Sequence, residues 1–140
     1  MQVETFHTQL MLCDAGAPLI FTSGAASTNK GYFITALRLE RRHIMNCAGD
    51  TRHQDVAAIE IFDGYGGVHM PTGKFIQIWQ RGLDTLSVPM EAQVTVLFEP
   101  KNTGLRSWSV HKIETHRDVT QIELVPQTPQ CILSGADKRA

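Results

Sequence analysis

The sequence predicts an all-β protein: an antiparallel β-sandwich of the jelly-roll or immunoglobulin-like kind, with about eight strands and little helix. Two observations predict this fold class. Apolar residues recur at every second position in several short runs, and turns rich in glycine, proline and asparagine separate the runs. Such alternation turns one face of a strand toward a core, and many short strands joined by regular turns are typical of sandwiches and barrels.

The alternation is clearest in the runs 57–62, 93–99 and 120–125. Further runs rich in β-branched and aromatic residues predict strands at 32–41, 74–79, 85–88 and 107–113. Helix signals are weak, and we expect at most one short helical turn, within residues 50–58.

Two segments contain residue types that are typical of turns. The segment Asp63–Gly67 contains Asp-Gly and Gly-Gly pairs, which adopt positive φ at little steric cost. The segment Met70–Gly73 contains a proline that presets φ in a turn. Because no helix is predicted after the glycine-rich segment, we expect a hairpin connection there and not a phosphate-binding loop.

The length of 140 residues indicates one domain. We place a β-sandwich domain at 1–125 and a C-terminal linker and arm at 126–140. The arm contains a proline-rich spacer followed by Cys131, Ile132 and Leu133. It could dock on another subunit or fold back on its own domain, and the sequence leaves both open.

Charge and cysteine content restrict the partners and the compartment. Thirteen lysines and arginines stand against fourteen aspartates and glutamates, so a general nucleic-acid or anionic-membrane binder is disfavoured. Three cysteines without close pairs predict reduced thiols and not a disulfide framework. With no signal peptide or membrane span expected, synthesis in a host cytoplasm is the expectation.

A metal site is considered at His43, Cys47, Asp50 and His53, which lie within eleven residues. Imidazole and thiolate groups are ligands that Zn²⁺ accepts. Their spacing matches no structural zinc pattern, so we predict a loop that contains these residues without binding a metal. We expect no cofactor elsewhere.

A catalytic pair of a carboxylate and an imidazole is considered, with Glu60 or Asp63 as the carboxylate and His69 as the imidazole. A carboxylate near an imidazole can orient a general base. A simpler explanation is that the Asp63 side chain bonds turn amides. No serine nucleophile elbow is present. We therefore predict no catalytic residues and no enzyme activity.

Trp79 and Trp108 could form an aromatic platform for a sugar. Packing in a core or an interface is the preferred interpretation for Phe75 and Trp79.

Residues 32–98 combine a strand at Phe33–Leu39, a strand ending in Asp-Gly at Ile59–Gly64, a Pro-x-Gly turn at Met70–Lys74 and a Val-x-Val strand at Val94–Phe98. This pattern resembles small structural proteins of tailed bacteriophages. The resemblance covers about half of the chain and implies a β-sandwich that serves as a decoration (cement), connector or fibre subunit, usually as an oligomer. The long segment from Arg41 to Val56, expected to be a loop, departs from the pattern.

We therefore expect a non-enzymatic virion structural subunit, first of all a capsid decoration protein. Its partners would be itself, as a dimer or trimer, and a major capsid or tail protein. Alternatives are a phage tail or adaptor component, a carbohydrate-binding host-recognition module that uses Trp79 or Trp108, and a small cupin-like metal enzyme. The predicted interface residues are Arg41, Arg42, Ile44, Tyr65, Ile132 and Leu133.

Overall fold

The computed structural model describes residues 1–24 and 26–127. The described elements are, in chain order, α1 (Val3–Met11), β1 (Leu19–Thr22), β2 (Phe33–Met45), β3 (Thr51–Phe62), α2 (Thr72–Leu86), β4 (Gln93–Leu97), a short 3-10 helix (Pro100–Asn102), β5 (Ser107–His116) and β6 (Val119–Pro126). Neither helix in the described ranges has the length and apolar run that crossing a membrane requires.

The six strands form a single curled sheet in the order β1-β6-β5-β4-β3-β2. The pairs β1–β6 and β3–β4 are parallel, and the other three pairs are antiparallel. The prediction of a mostly-β chain is confirmed. The finer expectation of two antiparallel sheets with about eight strands differs from the described residues, which build one mixed sheet. Parallel β3 and β4 need a crossover, and α2 supplies it.

Helix α2 corrects the strands predicted at 74–79 and 85–88. Phe75, Ile76, Ile78 and Trp79 satisfy both a period of two and a helical period, and the β-branched residues favoured the strand interpretation. In the structure the buried residues Thr72, Phe75 and Trp79 follow helical spacing and face the sheet. The helix begins after Pro71, so the proline predicted to form a turn marks a helix start instead.

Helix α1 is also absent from the sequence prediction. Its buried residues Val3, Phe6 and Leu10 recur at three- and four-residue spacing, which is the helical signal. The segment is only nine residues long and has no side-chain cap, so its sequence signal is weak.

An aromatic cluster from both helices and β1 fills the centre of the core. Phe6 lies 4.7 Å from Trp79 between ring centroids, and Phe75 packs edge-on against Phe21 at 5.7 Å. The inward residues of the sheet, including Ile59 and Ile122, join the same core. The helices therefore cover one face of the sheet.

Candidate functional site

The long hairpin of β2 and β3 projects beyond the rest of the sheet. Strand β4 pairs with β3 only from Val56 onward, whereas β2 and β3 remain paired as far as Met45 and Thr51. We call residues 41–55 the hairpin arm. Its five cross-strand pairs span about 17 Å at the usual rise of a strand. The predicted loop from Arg41 to Val56 is therefore wrong: it is a two-stranded ribbon.

The turn of the arm is built by Asn46. Its side-chain Oδ1 accepts hydrogen bonds from the amides of Ala48 and Asp50, both at 2.9 Å. Gly49 adopts a φ of +91°, which a residue with a side chain rarely takes. An Asn-x-x-Gly-Asp sequence thus closes the hairpin locally, without support from the core.

No residue of the arm is buried. Ile44 is half-buried, and Met45 exposes 69% of its surface. An isolated two-stranded ribbon is marginally stable in water, because it has no third strand or helix to cover its apolar side chains. The arm therefore carries apolar and basic side chains that the described part of this chain does not cover.

Predicted interface residues Arg41, Arg42 and Ile44 all lie on the arm. Arg42 and Ile44 share a face and line a groove of about 750 Å³, together with residues of β4, β5 and β6. Arg42 donates to Glu40 at 2.7 Å, and Arg41 lies opposite Asp55 on the other face. The structure thus brings these three residues onto one projecting element.

Strand β2 is a long free edge of the sheet. Within the described residues β2 pairs with β3 alone, and none of its thirteen residues is buried. The other edge strand, β1, has only four residues. Free edges offer unpaired backbone groups to another chain, and short edges reduce that hazard. The two edges of this sheet therefore differ strongly in their capacity to pair.

An exposed aromatic patch lies at the other end of β2. Phe33 and Phe62 are cross-strand partners with ring centroids 5.2 Å apart, and Tyr65 packs edge-on against Phe62 at 6.3 Å. Tyr65 exposes 78% of its surface. The predicted interface residue Tyr65 is thus accessible, but it lies at the opposite end of β2 from the arm. Phe33 and Phe62 were not predicted, because alternation alone does not show which face is covered.

The remaining predicted interface residues, Ile132 and Leu133, lie outside the described residues. The C-terminal linker and arm predicted at 126–140 begins within the sheet, since β6 includes Pro126.

The residues considered for a metal site lie on the arm. The imidazoles of His43 and His53 are cross-strand partners and stack at 4.2 Å between centroids. Cys47 is exposed in the turn. Within the described ranges, no three His, Cys, Asp or Glu residues form a group that could hold a metal ion.

The carboxylates considered for catalysis are held in structural contacts. Glu60 pairs with Arg38 and accepts a hydrogen bond from Thr35 at 2.7 Å. Asp63 is completely buried, and its oxygens accept bonds from four N–H groups. One of these donors is the Gly64 amide at 2.9 Å, which is the turn contact that the sequence predicts.

Asp63 joins three segments that are distant in the sequence. Its carboxylate accepts from the backbone and side-chain amides of Asn29 and from the backbone amide of Lys101, at 2.8–3.0 Å. Its own backbone amide donates to Asn102 Oδ1 at 2.7 Å. We call residues 28–32, 63–69 and 100–102 the loop junction. Sequence reasoning missed it because no local pattern connects its three segments.

Neither tryptophan offers a ring face to a sugar. Trp79 is 1% exposed in the core, and its indole N–H donates to His7 Nδ1 at 3.2 Å. Trp108 is 5% exposed and donates to the carbonyl of Phe98 at 2.8 Å. The guanidinium of Arg106 lies over the Trp108 ring at 4.5 Å. The preferred packing interpretation of Trp79 is confirmed.

Comparison of the chain with protein families, curated proteins and solved structures finds no match.

Proposed function

We propose that the protein is a non-enzymatic structural subunit of a phage particle, and that it binds other polypeptides through the hairpin arm and the free edge of β2. The observation that carries the proposal is the arm itself, a β-ribbon with no buried residue and with an exposed Met45 near its tip. Covering such a ribbon removes apolar area from water, which stabilises an assembly.

The partner we propose for this surface is a second copy of the chain. An apolar groove of about 520 Å³ runs beside the free edge of β2 and is lined by Ile34, Leu37 and Ile78. An incoming β2 strand could bond the free edge and place its apolar side chains in this groove. Edge pairing across a two-fold axis gives a dimer, whereas docking of the arm on a different surface of the neighbour gives a closed ring such as a trimer.

Light scattering of the full-length protein tests self-association. We expect a dimer or trimer for the wild type and a monomer for a variant with both Ile44→Glu and Met45→Glu. The matched control is Leu12→Glu, because Leu12 is 84% exposed and directly follows α1, outside both β2 and the arm. Circular dichroism establishes that each variant is folded. A monomeric wild type, or an unchanged mass for the arm variant, would contradict the proposed interface.

The assignment to a particle rests on the resemblance of residues 32–98 to phage structural proteins, and it has its own test. Quantitative mass spectrometry of purified virions gives the copy number of the chain. Many copies per particle support capsid decoration, and a number that matches one ring supports a tail or adaptor component. Absence from the virion contradicts the assignment, even where self-association is found.

A further inference from the structure

An open cleft of about 780 Å³ lies at the loop junction, where the segments that follow β1, β3 and β4 come together. These strands run in the same direction, so their carboxyl ends lie at the same end of the sheet. Ligands of sheets with parallel strands commonly bind outside the carboxyl ends of the strands. The cleft is separate from the hairpin arm, which lies at the opposite end of β3.

The side chains that line the cleft include positively charged groups and hydrogen-bond donors. Lys30, His69 and Lys101 line it, and no carboxylate is among its described lining residues. Within the described ranges, neither lysine forms an ion pair with a carboxylate. The lining of the cleft therefore contains two lysines and a histidine but no carboxylate, which favours an anionic ligand.

The nearest buried carboxylate, Asp63, does not compete for this role. Its Oδ1 accepts from the amides of Asn29 and Gly64, and its Oδ2 accepts from Asn29 Nδ2 and the Lys101 amide. These bonds fix the backbone of both lysine-bearing loops, because Lys30 follows Asn29 directly. Asp63 thus positions the cationic side chains and leaves them free to meet a ligand.

The backbone of the cleft is held tightly. A Cβ atom on Gly64 would lie 2.0 Å from the carbonyl oxygen of Lys30, so the two loops touch through their backbones. Lys101 adopts a φ of +58°, which is costly for a residue with a side chain. Strain of this kind persists only where the surrounding contacts enforce it. The loops are therefore arranged before any ligand arrives, which lowers the entropic cost of binding.

His69 adds a hydrogen-bond donor. Its Nδ1 is shielded from solvent and has no hydrogen-bond partner in the described residues. A buried N–H without an acceptor is costly, so the neutral ring places its proton on Nε2. Burial lowers the pKa of the imidazole below its ordinary value, and the Lys30 ammonium lowers it further. A negative charge in the cleft would oppose the effect of Lys30.

The N-terminus of α2 does not supply the anion contacts. The amide of Thr72 donates to the carbonyl of Ala17, and the amide of Gly73 donates to the carbonyl of Ala15, both at 2.8 Å. A helix does follow the glycine-rich segment, contrary to the sequence prediction, but its first amides are occupied. Recognition must therefore come from the side chains of the cleft.

We propose that the cleft binds the phosphate group of a small organic phosphate monoester between Lys30 and Lys101, with His69 as a further donor. A phosphate monoester carries up to two negative charges near neutral pH, which matches two lysines better than a single carboxylate does. The exposed ring of Tyr65 lines the same cleft and offers an aromatic surface to the organic part of the ligand.

The test is calorimetric titration of the full-length protein with AMP, inorganic phosphate and adenosine at low ionic strength. We expect saturable binding of AMP, weaker binding of phosphate and none of adenosine. The double variant Lys30→Gln/Lys101→Gln should weaken AMP binding at least tenfold, whereas the control Lys74→Gln/Lys112→Gln should not. Phosphate binding as tightly as AMP would remove the organic part from the proposal. Binding of adenosine alone, or equal AMP affinity in both double variants, would overturn the site.

A second readout is independent of affinity. The pKa of His69, followed by NMR of its ring protons, should rise when AMP saturates the cleft, since the phosphate opposes the charge of Lys30. The ring-proton signals of His111, which lies outside the cleft, serve as the internal control for general effects of added AMP. Absence of saturable AMP and phosphate binding to the wild type, or an unchanged His69 pKa at saturation, would overturn the proposal.

Discussion

The two ends of β3 show how differently one strand can be held. At its carboxyl end, Asp63 is buried and its oxygens accept four hydrogen bonds, which join three distant segments. At its amino end, the hairpin arm has pairing within the ribbon but no buried residue. The contacts of Asp63 therefore lie within one copy of the chain, whereas we propose that the arm is covered by another polypeptide.

The largest expected effect is at the loop junction. Asp63→Ala removes the acceptor of four hydrogen bonds, and it leaves the buried Gly64 amide and three partly buried N–H groups without this partner. Since each bond to a charged group contributes about 1.5–3 kcal/mol, and such effects are not additive, we expect a loss of about 4 kcal/mol in the free energy of unfolding. Urea denaturation measures it.

The matched control for that substitution is Asp50→Ala in the turn of the arm. Asp50 is exposed, and its side chain accepts one long bond from Asn46 Nδ2 at 3.3 Å. We expect a loss below about 0.5 kcal/mol. Similar losses for the two variants would mean that the contrast between the two ends of β3 is wrong.

A pair of glycine substitutions sharpens the comparison, because both residues have a positive φ. A Cβ on Gly31 would lie 2.0 Å from the carbonyl oxygen of Gly66, whereas nothing lies within 4 Å of a Cβ on Gly49. We expect Gly31→Ala to cost about 3 kcal/mol and Gly49→Ala about 1 kcal/mol. The thermal midpoints of the two variants measure the difference. Equal midpoints would show that the backbone of the loop junction shifts to accommodate the added Cβ, which contradicts the comparison.

We expect the free energy of unfolding to fall at alkaline pH, because of a buried tyrosine beside the loop junction. Tyr32 is buried and its hydroxyl donates to the carbonyl of Leu19 at 2.7 Å; burial raises its pKa above the ordinary value. Its contribution to stability is complete below about pH 10 and is lost as the pH rises toward the higher folded-state value. We expect a loss of about 1.4 kcal/mol per pH unit in that range. The free energy of unfolding of the variant Tyr32→Phe, measured by urea titration at pH 9–11, should lack this dependence on pH. If the variant loses stability with pH as steeply as the wild type, groups other than Tyr32 cause the loss.

A small effect is also expected for Asn46 in the turn of the arm. Asn46→Ala removes the acceptor of the Ala48 and Asp50 amides, which are exposed and can bond water instead. We expect a loss of roughly 0.5–1 kcal/mol. Hydrogen exchange should show faster opening of residues 41–55 with little change at residues 63–69. Faster exchange at both places would indicate that the arm and the junction unfold together.

The sequence predicts β3 and β6 well, because one face of each strand is buried, whereas β1, whose four residues alternate in the same way, was not predicted. The runs 57–62 and 120–125 lie in β3 and β6, because their inward residues pack on the core and their outward residues do not. The bonding of Asp63 to a turn amide is likewise a local effect, so its residue type and its neighbour Gly64 are enough to predict it.

The rest depends on distant contacts. In α2, the apolar residues fit two periods, and the choice of helix is decided by packing on the core, such as the close approach of Gly82 to Leu37. The apolar residues of the arm, Ile44 and Met45, are adjacent and point to opposite faces, so the segment shows no alternation of apolar and polar residues and resembles a loop. The loop junction joins residues that are 34 and 38 positions from Asp63, which no local pattern reveals.

Hydrogen exchange followed by mass spectrometry at increasing protein concentration tests the central claim most directly. We expect exchange in residues 41–55 to slow as the chain assembles, while the buried, bonded amides of Asp63 and Gly64 exchange slowly at every concentration. Fast exchange of the arm at all concentrations, or full protection of the arm in the dilute monomer, would contradict the account.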